Sequence, residues 1–346
     1  MEISPDHSKH VKTTIIMLAY RQERYVREAV AAIKTQVEPS WEVVIVDDFS
    51  PDGTAEIISS EIPGEGPAWT FIQKEKNGGA IAATRTGLTY AHGDVIIFMA
   101  GDDISGPERT RATANYFRQN PECYGLILGA AVIGASGHVK GYAVNSATSL
   151  PRRVVEENLA GHDFLPGLHA CGAASAFRRE VFDMFPPLHD RIYADDRVYA
   201  LRAILLGGLE FRPEIHVQWR DHGANLSFLG GKKRGPHLAK HFEGWIRTFD
   251  QHLNDVDHLN ARQTHGGKGR LAAFRSALEV ERARLVLVEA AHRPGLAIAD
   301  FVSAAGYFIP RRGLTLSTLI QLVKPMLQMV IPYPAQRALA RMRDRL

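Results

Sequence analysis

Four nearly continuous apolar runs in the first 107 residues alternate with segments of helical periodicity. These runs, which predict strands, are residues 13–19, 41–46, 69–72 and 95–99. Continuous apolar character is typical of strands that are buried on both faces of a parallel sheet. Between the first two runs, apolar residues recur at the spacing of one helix face. Strand–helix alternation with short connections predicts an α/β fold with a mostly parallel central sheet flanked by helices.

The pattern continues beyond residue 107 and then changes. Residues 124–133 resume the sheet, and residues 211–219 predict its last strand. From Pro236 onward the spacing is helical, with a long helix over 269–292 that ends before Pro294. The expected organisation is a disordered N-terminus over 1–12, an α/β domain over 13–235 with halves 13–107 and 108–235, and a C-terminal helical region over 236–346.

Pairs of aspartates stand where two of the predicted strands end. Asp47 and Asp48 close the second strand, and Asp102 and Asp103 close the fourth. Open α/β sheets bind ligands at the carboxyl ends of their strands, so one acid of each pair is expected to face a common cleft. Carboxylate oxygens there suit Mg²⁺ or Mn²⁺ shared with phosphates. The alternative for the second pair is an N-cap of the helix that begins near Pro107.

The loop after the first strand lacks the motifs of other nucleotide-binding classes. Residues 18–21 are Leu-Ala-Tyr-Arg, and neither G-x-G-x-x-G nor G-x-x-x-x-G-K-[ST] follows the strand. A dinucleotide-binding Rossmann domain and a P-loop NTPase are therefore disfavoured. A sugar-phosphate nucleotidyltransferase also needs a Gly-rich loop at this point, so that class is disfavoured as well.

In this order, the motifs resemble the family 2 glycosyltransferases of the GT-A fold, specifically inverting enzymes of bacterial polysaccharide type. The similarity runs from about residue 13 to residue 227. The matching stretches are Ile15–Tyr20 with Glu23, Gln36, Val46–Thr54, Asn77–Gly79, Ala91–Asp94, and Phe98–Asp103 followed by Pro107–Arg109. The resemblance implies a nucleotide-binding half over 13–107 and an acceptor half over 108–235.

The resemblance also implies roles for residues of the nucleotide-binding half. Leu18, Tyr20 and Asp48 correspond to the residues that hold the nucleoside in such enzymes. Arg85, on the helix after the Asn-Gly turn, is the candidate to face the diphosphate of the donor. The alternative for Arg85 is an ordinary solvated position on its helix.

Asp102 is the expected metal ligand, and it is the one aspartate that remains of the family's D-x-D signature. The first aspartate of that signature would stand at Ala100. One-sided versions occur among relatives, so the resemblance still implies Mg²⁺ or Mn²⁺ at Asp102. The departure at Ala100 puts the usual ribose contact in doubt and predicts a low affinity for the metal.

A third acid pair, Asp195 and Asp196, begins a predicted helix that runs to Leu206. It resembles the family's Glu-Asp motif, which makes Asp196 the expected general base and Asp195 its support. An inverting transfer is a single in-line displacement, so a base must take the acceptor proton on the face opposite the leaving nucleotide. Burial would raise the pKa of this base towards a working value. The alternative is a pair of helix N-terminal acids favoured by the helix dipole.

Two further stretches resemble motifs of the acceptor half. Residues 170–179 resemble the small-residue strand beside the acceptor, where Gly172 would leave room for a sugar, with close packing as the alternative. Residues 220–227 resemble the family's Arg-x-His-x-x-Asn-x-Ser stretch. His222 is expected to complete the metal shell or touch the diphosphate, and Arg220 to neutralise phosphate charge. A structural role is the usual alternative for a lone histidine.

Charge is distributed unevenly along the chain. Residues 262–346 contain 14 Lys and Arg against 5 Asp and Glu, although the net charge is only +3. Within this basic region, residues 314–331 are apolar but interrupted by Gln, Lys and Pro, short of the roughly 20 apolar residues of a spanning helix. This composition predicts contact with an anionic membrane surface. A cap on the catalytic domain or a homo-oligomer contact is the alternative, and nucleic acid is disfavoured because aromatic residues are not interleaved.

The remaining signals concern the compartment. The two cysteines, Cys123 and Cys171, fit the reduced thiols of a cytosolic protein, with a single disulfide as the alternative. The first residues contain no apolar core of the kind that a signal peptide has. We expect a cytoplasmic protein, or one that is peripheral on the inner face of the membrane.

The resulting hypothesis is an inverting, metal-assisted glycosyltransferase. It would move a sugar from a UDP- or dTDP-linked donor to a hydroxyl of a glycan or lipid-linked glycan. The alternative is a weak or inactive homologue that acts as a membrane-associated scaffold, for which the departure at Ala100 is the argument.

Overall fold

The structure, a computed structural model, describes residues 10–37, 41–63, 68–143, 152–155, 159, 172–223, 225, 236–262 and 271–290. The chain divides into two units, which are residues 1–190 with 195–229, and residues 191–194 with 230–346. Most of the predicted N-terminal segment 1–12 and the whole predicted membrane-surface segment 314–331 lie outside the described residues.

The first unit begins with the strand–helix alternation that the apolar pattern predicts. The strands are β1 (Thr13–Ala19), β2 (Trp41–Asp47), β3 (Trp69–Gln73) and β4 (Val95–Ala100). The helices between them are α1 (Val26–Lys34), α2 (Thr54–Glu61) and α3 (Gly79–Tyr90). The four strands lie in the order β3-β2-β1-β4, and all three pairs are parallel. Their carboxyl ends therefore lie along one edge of the sheet.

The rest of the first unit extends the sheet with strands of both directions. Its strands are β5 (Ile104–Ser105), β6 (Gly125–Gly134), β7 (Val139–Ala143), β8 (Arg152–Val154), β9 (Ser175–Arg178) and β10 (Leu209–Asp221). Its helices are α4 (Arg109–Gln119), α5 (Glu180–Asp183) and α6 (Asp195–Leu206). The order continues β4-β9-β6-β10-β5, with β7 beside β6 and β8 beside β10. Of these pairs, β6 with β10 is parallel and the others are antiparallel.

One predicted strand of the acceptor half is only partly a strand. Residues Gly172–Ala174 form a 3₁₀ turn, and β9 begins at Ser175. The Ser175 hydroxyl donates to the Gly172 carbonyl at 2.7 Å and closes the turn. The turn lies beside the carboxyl end of β4, because β9 runs antiparallel to β4 with Ala176 opposite Ile97.

The main core packs α1 and α2 against one face of the sheet. Buried side chains of β1, β2, β4 and β6 form one cluster with the apolar face of α1. Ile15, Met17, Val26, Val30 and Ile33 in this cluster are at most 1% exposed. Because this core holds the strands in register, it also holds the loops at their carboxyl ends.

The described part of the second unit is a pair of helices. These are α7 (Pro236–Arg262) and α8 (Ala272–Ala290), which contact each other. Arg275 of α8 forms an ion pair with Asp257 of α7 at 2.6 Å, and Arg282 pairs with Asp250. Within the described ranges, no helix is both long enough and apolar enough to cross a membrane.

Candidate active site

The loops after β1 and β2 are fastened to each other at the carboxyl edge of the sheet. Arg21 and Phe49, one in each loop, have φ angles of 57° and 64°. This left-handed conformation costs non-glycine residues about 1–3 kcal/mol each and persists where the surroundings hold it. Here the Arg21 amide donates to the Ser50 hydroxyl at 2.9 Å, and the Gln22 amide donates to the Thr54 hydroxyl at 2.8 Å. These contacts join the loops after β1 and β2, residues 20–22 and 48–54, into one unit that we call the rim.

Leu18 and Tyr20 lie at this rim. Leu18 pairs with Val46 on one side and with Ala100 on the other, so it stands between the ends of β2 and β4. The side chains of Leu18 and Tyr20 are both partly exposed. Their position is open to a ligand at the sheet edge.

Asp48 is buried at the end of β2 and faces the start of α3. Its carboxylate accepts hydrogen bonds from the backbone amides of Gly78 and Gly79, the latter at 2.7 Å, and it forms an ion pair with Lys74. A carboxylate has about four lone-pair sites, and three donors already occupy this one. Asp48 therefore fastens β2 to α3 and has room for about one more donor.

Asp102 lies at the end of β4 and meets the segment that follows β10. Its Oδ2 is 2.9 Å from His222 Nε2 and 3.4 Å from Asn225 Nδ2. Asn225 Oδ1 accepts the His222 backbone amide at 3.0 Å, which holds the histidine segment in place. A carboxylate oxygen and an imidazole nitrogen thus converge on one point.

This pair fits a divalent cation that is shared with a ligand. Oxygen and imidazole donors suit Mn²⁺, and carboxylate oxygen suits Mg²⁺. In the part of the chain that the structure describes, no group of three or more His, Cys, Asp or Glu residues is arranged to hold a metal. Among the described residues, Asp102 and His222 are the pair that could hold such a cation, together with oxygen ligands from a bound phosphate or water.

Arg220 is buried beneath this pair, with 1% of its surface exposed. Its Nε donates to the Asp102 carbonyl at 2.8 Å, and its Nη2 forms an ion pair with Glu28 of α1 at 2.6 Å. Its Nη1 donates to the carbonyls of Gly134 and Ala135. All of these contacts direct the guanidinium at acceptors within the protein. Arg220 is therefore placed to support Asp102, and it does not face outward to neutralise a phosphate.

Asp103, the next residue along the chain, is buried, with 1% of its surface exposed. Its Oδ1 accepts the Arg220 backbone amide at 2.8 Å. Burial, and then the charge of the adjacent Asp102, raise the pKa of Asp103 well above its ordinary value. Asp103 joins the end of β4 to the end of β10.

Arg85 projects from α3 towards residues 188–190. Its Nη2 donates to the Leu188 carbonyl at 3.0 Å and forms an ion pair with Asp190 at 2.6 Å. About half of the Arg85 side chain is exposed, so the ion pair is solvated and weak. A guanidinium held this loosely stays accessible to an anionic ligand.

Asp196 lies in the first turn of α6 against the 3₁₀ turn. Its Oδ1 accepts the Arg197 amide at 2.8 Å, and the Gly172 amide also donates to its carboxylate. Burial, and then the neighbouring Asp195 carboxylate, raise the pKa of Asp196 to about 7. Burial also raises the pKa of Asp195. An acid with a pKa near neutrality can accept a proton and release it again.

The 3₁₀ turn brings Asp196 to the sheet edge where Asp102 lies. The turn flanks the carboxyl end of β4, and a Cβ atom added at Gly172 would be 3.8 Å from Asp196 Cβ. The acid pair of α6 and the acid pair of β4 therefore border the same end of one strand. This edge of the sheet therefore brings together the Asp102–His222 pair and a carboxylate with a raised pKa.

Sequence reasoning missed three residues of this site. Lys74 directly follows β3, so the rule that parallel strands end at one edge would have placed it near Asp48. Tyr25, at the N-cap of α1, and Glu28, within α1, contact His222 and Arg220 from a distance of almost 200 residues in the chain. Local sequence patterns contain no signal for contacts of that kind.

Comparison with known proteins decides the family. The model of glycosyl transferase family 2 matches residues 14–185. The chain belongs to the family 2 glycosyltransferases. The family predicted from the motifs is thereby confirmed, and so is an enzyme that transfers glycosyl groups.

Proteins similar to this glycosyltransferase include two from bacteria. It is 27% identical to an uncharacterized glycosyltransferase of Nostoc sp. (strain PCC 7120) over 251 residues, which cover 71% of this chain and 75% of that protein. It is 32% identical to the minor teichoic acid biosynthesis protein GgaB of Bacillus subtilis over 109 residues, which cover 31% of this chain and 12% of that protein.

Solved structures confirm the fold class of the glycosyltransferase. The structure of S. aureus TarS 1–349 in complex with UDP matches with a TM-score of 0.53 and 16% sequence identity. The match covers 86% of this chain and 88% of that chain. The α/β architecture with a central sheet flanked by helices is therefore that of the GT-A enzymes, as the motifs predicted.

Proposed function

We propose that this glycosyltransferase moves a sugar from a UDP- or dTDP-linked donor to a hydroxyl of a glycan or lipid-linked glycan, with inversion and with the help of Mg²⁺ or Mn²⁺. One observation carries the proposal: two carboxylates of different character border the end of β4. Asp102 is paired with His222, and Asp196 has a pKa of about 7.

Asp196 is the proposed general base. Its pKa near the working pH combines a useful basic fraction with a strong enough driving force for proton transfer. The amides of Gly172 and Arg197 hold its carboxylate in one orientation. The acceptor hydroxyl gives its proton to Asp196 as its oxygen bonds to the anomeric carbon, and the bond from that carbon to the diphosphate breaks on the opposite face.

Asp102 and His222 are the proposed metal ligands, and a bound cation supplies positive charge that stabilises the departing diphosphate. Leu18, Tyr20 and Asp48 are proposed to hold the nucleoside. The partly exposed rim at β1 and the remaining acceptor capacity of Asp48 support this assignment. Arg85, accessible and weakly paired, is proposed to face the diphosphate.

The comparisons support the choice of donor and acceptor. Structures of S. aureus TarS contain UDP or UDP-GlcNAc, and GgaB of Bacillus subtilis is named for minor teichoic acid biosynthesis. The basic composition of residues 262–346 supports a peripheral position on an anionic membrane, on the cytoplasmic face, where a lipid-linked acceptor would be found.

The test is release of nucleoside diphosphate from a panel of UDP- and dTDP-sugars with Mn²⁺. We expect turnover with at least one donor and an about 100-fold lower rate in Asp102→Ala, because the leaving group loses its stabilised charge. Asp94→Ala is the matched control, since Asp94 precedes the same strand at its other end. No release with any donor, or equal release by Asp102→Ala, would reject the proposal in favour of an inactive scaffold.

A further inference from the structure

Arg220 connects three elements below the proposed metal ligands. It reaches the Asp102 carbonyl at the end of β4, the carbonyls of Gly134 and Ala135 after β6, and the carboxylate of Glu28 on α1. Arg220 is 1% exposed, whereas the Glu28 side chain is 58% exposed. Glu28 therefore fixes a buried guanidinium from the surface of the molecule.

Tyr25, at the N-cap of α1, contacts both Arg220, near the end of β10, and His222, which follows that strand. Its ring stacks on the His222 imidazole with 4.9 Å between centroids and 26° between planes. The Arg220 guanidinium carbon lies 4.8 Å from the centroid of the same ring. Tyr25 thus limits the orientation of the imidazole that meets Asp102.

We propose that Glu28, acting through Arg220, and Tyr25 are positioning residues that set the geometry of Asp102 and His222 for the cation. Arg220 Nε holds the Asp102 main chain, and the Tyr25 ring holds the plane of the His222 imidazole. This inference rests on the proposed function, because it assumes that Asp102 and His222 bind the metal.

The departure at Ala100 explains why such positioning matters here. With Ala100 in place of the first aspartate of the D-x-D signature, the geometry of the proposed ligands Asp102 and His222 has more influence on the binding of the cation. Groups that orient metal ligands from behind typically change metal affinity 10–100-fold when they are removed. In this proposal, Tyr25 and Glu28 at the start of α1 orient the residues of the cation site but do not bind the cation themselves.

A general effect on stability is the competing explanation, and Glu28 is a suitable residue to separate the two. The Glu28 side chain is 58% exposed, and the buried Arg220 keeps its three carbonyl acceptors when Glu28 is removed, so we expect the fold to survive this change. Glu61 provides a matched control, because it forms exposed ion pairs with Arg27 and Lys34 of the same helix α1.

The experiment is a titration of the full chain with Mn²⁺, followed by the electron paramagnetic resonance signal of the free ion. The nucleoside diphosphate that the wild-type protein binds, UDP or dTDP, is present at saturation. We expect Glu28→Ala to bind Mn²⁺ about tenfold more weakly and Glu61→Ala to match the wild type. Glu28→Gln, which keeps an acceptor for Arg220, should recover most of the affinity.

A second pair of variants tests the aromatic contact. Tyr25→Phe keeps the ring and should bind Mn²⁺ like the wild type, whereas Tyr25→Leu should bind it more weakly. Thermal unfolding of each variant is recorded alongside the titration.

Three outcomes would overturn the inference. They are wild-type Mn²⁺ affinity in Glu28→Ala, an equal loss in Glu28→Ala and Glu61→Ala, and a wild-type protein that turns over a donor without binding Mn²⁺. In each of these cases the glycosyl transfer itself still stands. A wild-type protein that releases no nucleoside diphosphate from any donor rejects the proposed function first, and the inference with it.

Discussion

The dipeptide Asp-Asp ends β2 and also begins α6, and the two copies have opposite surroundings. At β2, Asp47 accepts from the amide and the hydroxyl of Ser50, and Asp48 accepts from two glycine amides and Lys74. At α6, the hydrogen bonds to Asp196 are outweighed by burial and by the charge of Asp195, and its pKa rises to about 7.

The comparison shows that surroundings, and not the residue type, decide what an acid pair does. A carboxylate that accepts hydrogen bonds from an ammonium group and two amides is held in place by them, so it joins the elements that carry these donors. A buried carboxylate beside a second one binds its proton more tightly, so it is suited to proton transfer. The pair at β2 is thus an anchor, and the pair at α6 is the proposed reactive site.

The largest effect should come from Asp196→Asn. Without a base the acceptor proton has no destination, so we expect kcat to fall about 1,000-fold while the fold is kept. Steady-state kinetics with the donor found by the panel measures this, and thermal unfolding checks the fold. Asp183→Asn, an exposed aspartate on α5, is the matched control. More than a tenth of wild-type activity in Asp196→Asn would make the α6 pair an anchor like the β2 pair.

The pH dependence is the next largest effect. The base must be unprotonated in the free enzyme, so kcat/KM should fall about tenfold per pH unit below about 7. The folded-state pKa lies above the unfolded value of about 3.9, so the stability that Asp196 contributes is present at low pH and is lost between about pH 4 and 7.

Activity should therefore rise across the same pH window in which this contribution to stability falls. The difference in unfolding free energy between wild type and Asp196→Asn, measured from pH 4 to 8, isolates the contribution of this carboxyl. A kcat/KM profile whose acidic limb has a pKa near 4 would contradict the assignment.

The smallest effect should come from Asp48→Asn, which weakens the link between β2 and α3 and also alters a proposed contact to the nucleoside. The change removes the partner of Lys74, whose side chain is only 15% exposed, and turns one amide donor towards a backbone amide. We expect the free energy of unfolding at pH 7 to fall by about 2 kcal/mol, measured by urea denaturation. Lys74→Met should cost less, because it leaves the two glycine amides bonded to Asp48. Unchanged stability in Asp48→Asn would remove the contrast between the two pairs.

The strands of residues 13–107 were predictable because β1, β2 and β4 are largely buried and β3 is a short apolar run beside them. Apolar runs therefore located β1 to β4 to within one or two residues, and short connections implied their parallel order. The acceptor half was less predictable. β5 and β8 have two and three residues, too few for a periodic signal, and the small residues before Ser175 form a turn that a strand pattern does not distinguish.

The site divides in the same way. Acids at strand ends could be placed from topology, since the carboxyl ends of parallel strands share an edge. The partners that hold them could not, because Glu28 with Arg220 and Tyr25 with His222 join residues from opposite ends of the first unit. Whether an acid is an anchor or a base depends on how deeply it is buried and on which groups contact it. The folded structure decides both, and a local sequence pattern contains neither in full.

The ion pair between Glu28 and Arg220 spans 192 residues, and this separation has a consequence during synthesis. At ribosomal rates, Glu28 is made roughly 10 to 40 s before Arg220 exists to meet it. The parallel strands β1 to β4 can pair in that interval. The hydrogen bond from Arg220 to the Asp102 carbonyl after β4, however, forms only once β10 has been made. The enzyme would thus acquire its shape well before its competence for catalysis.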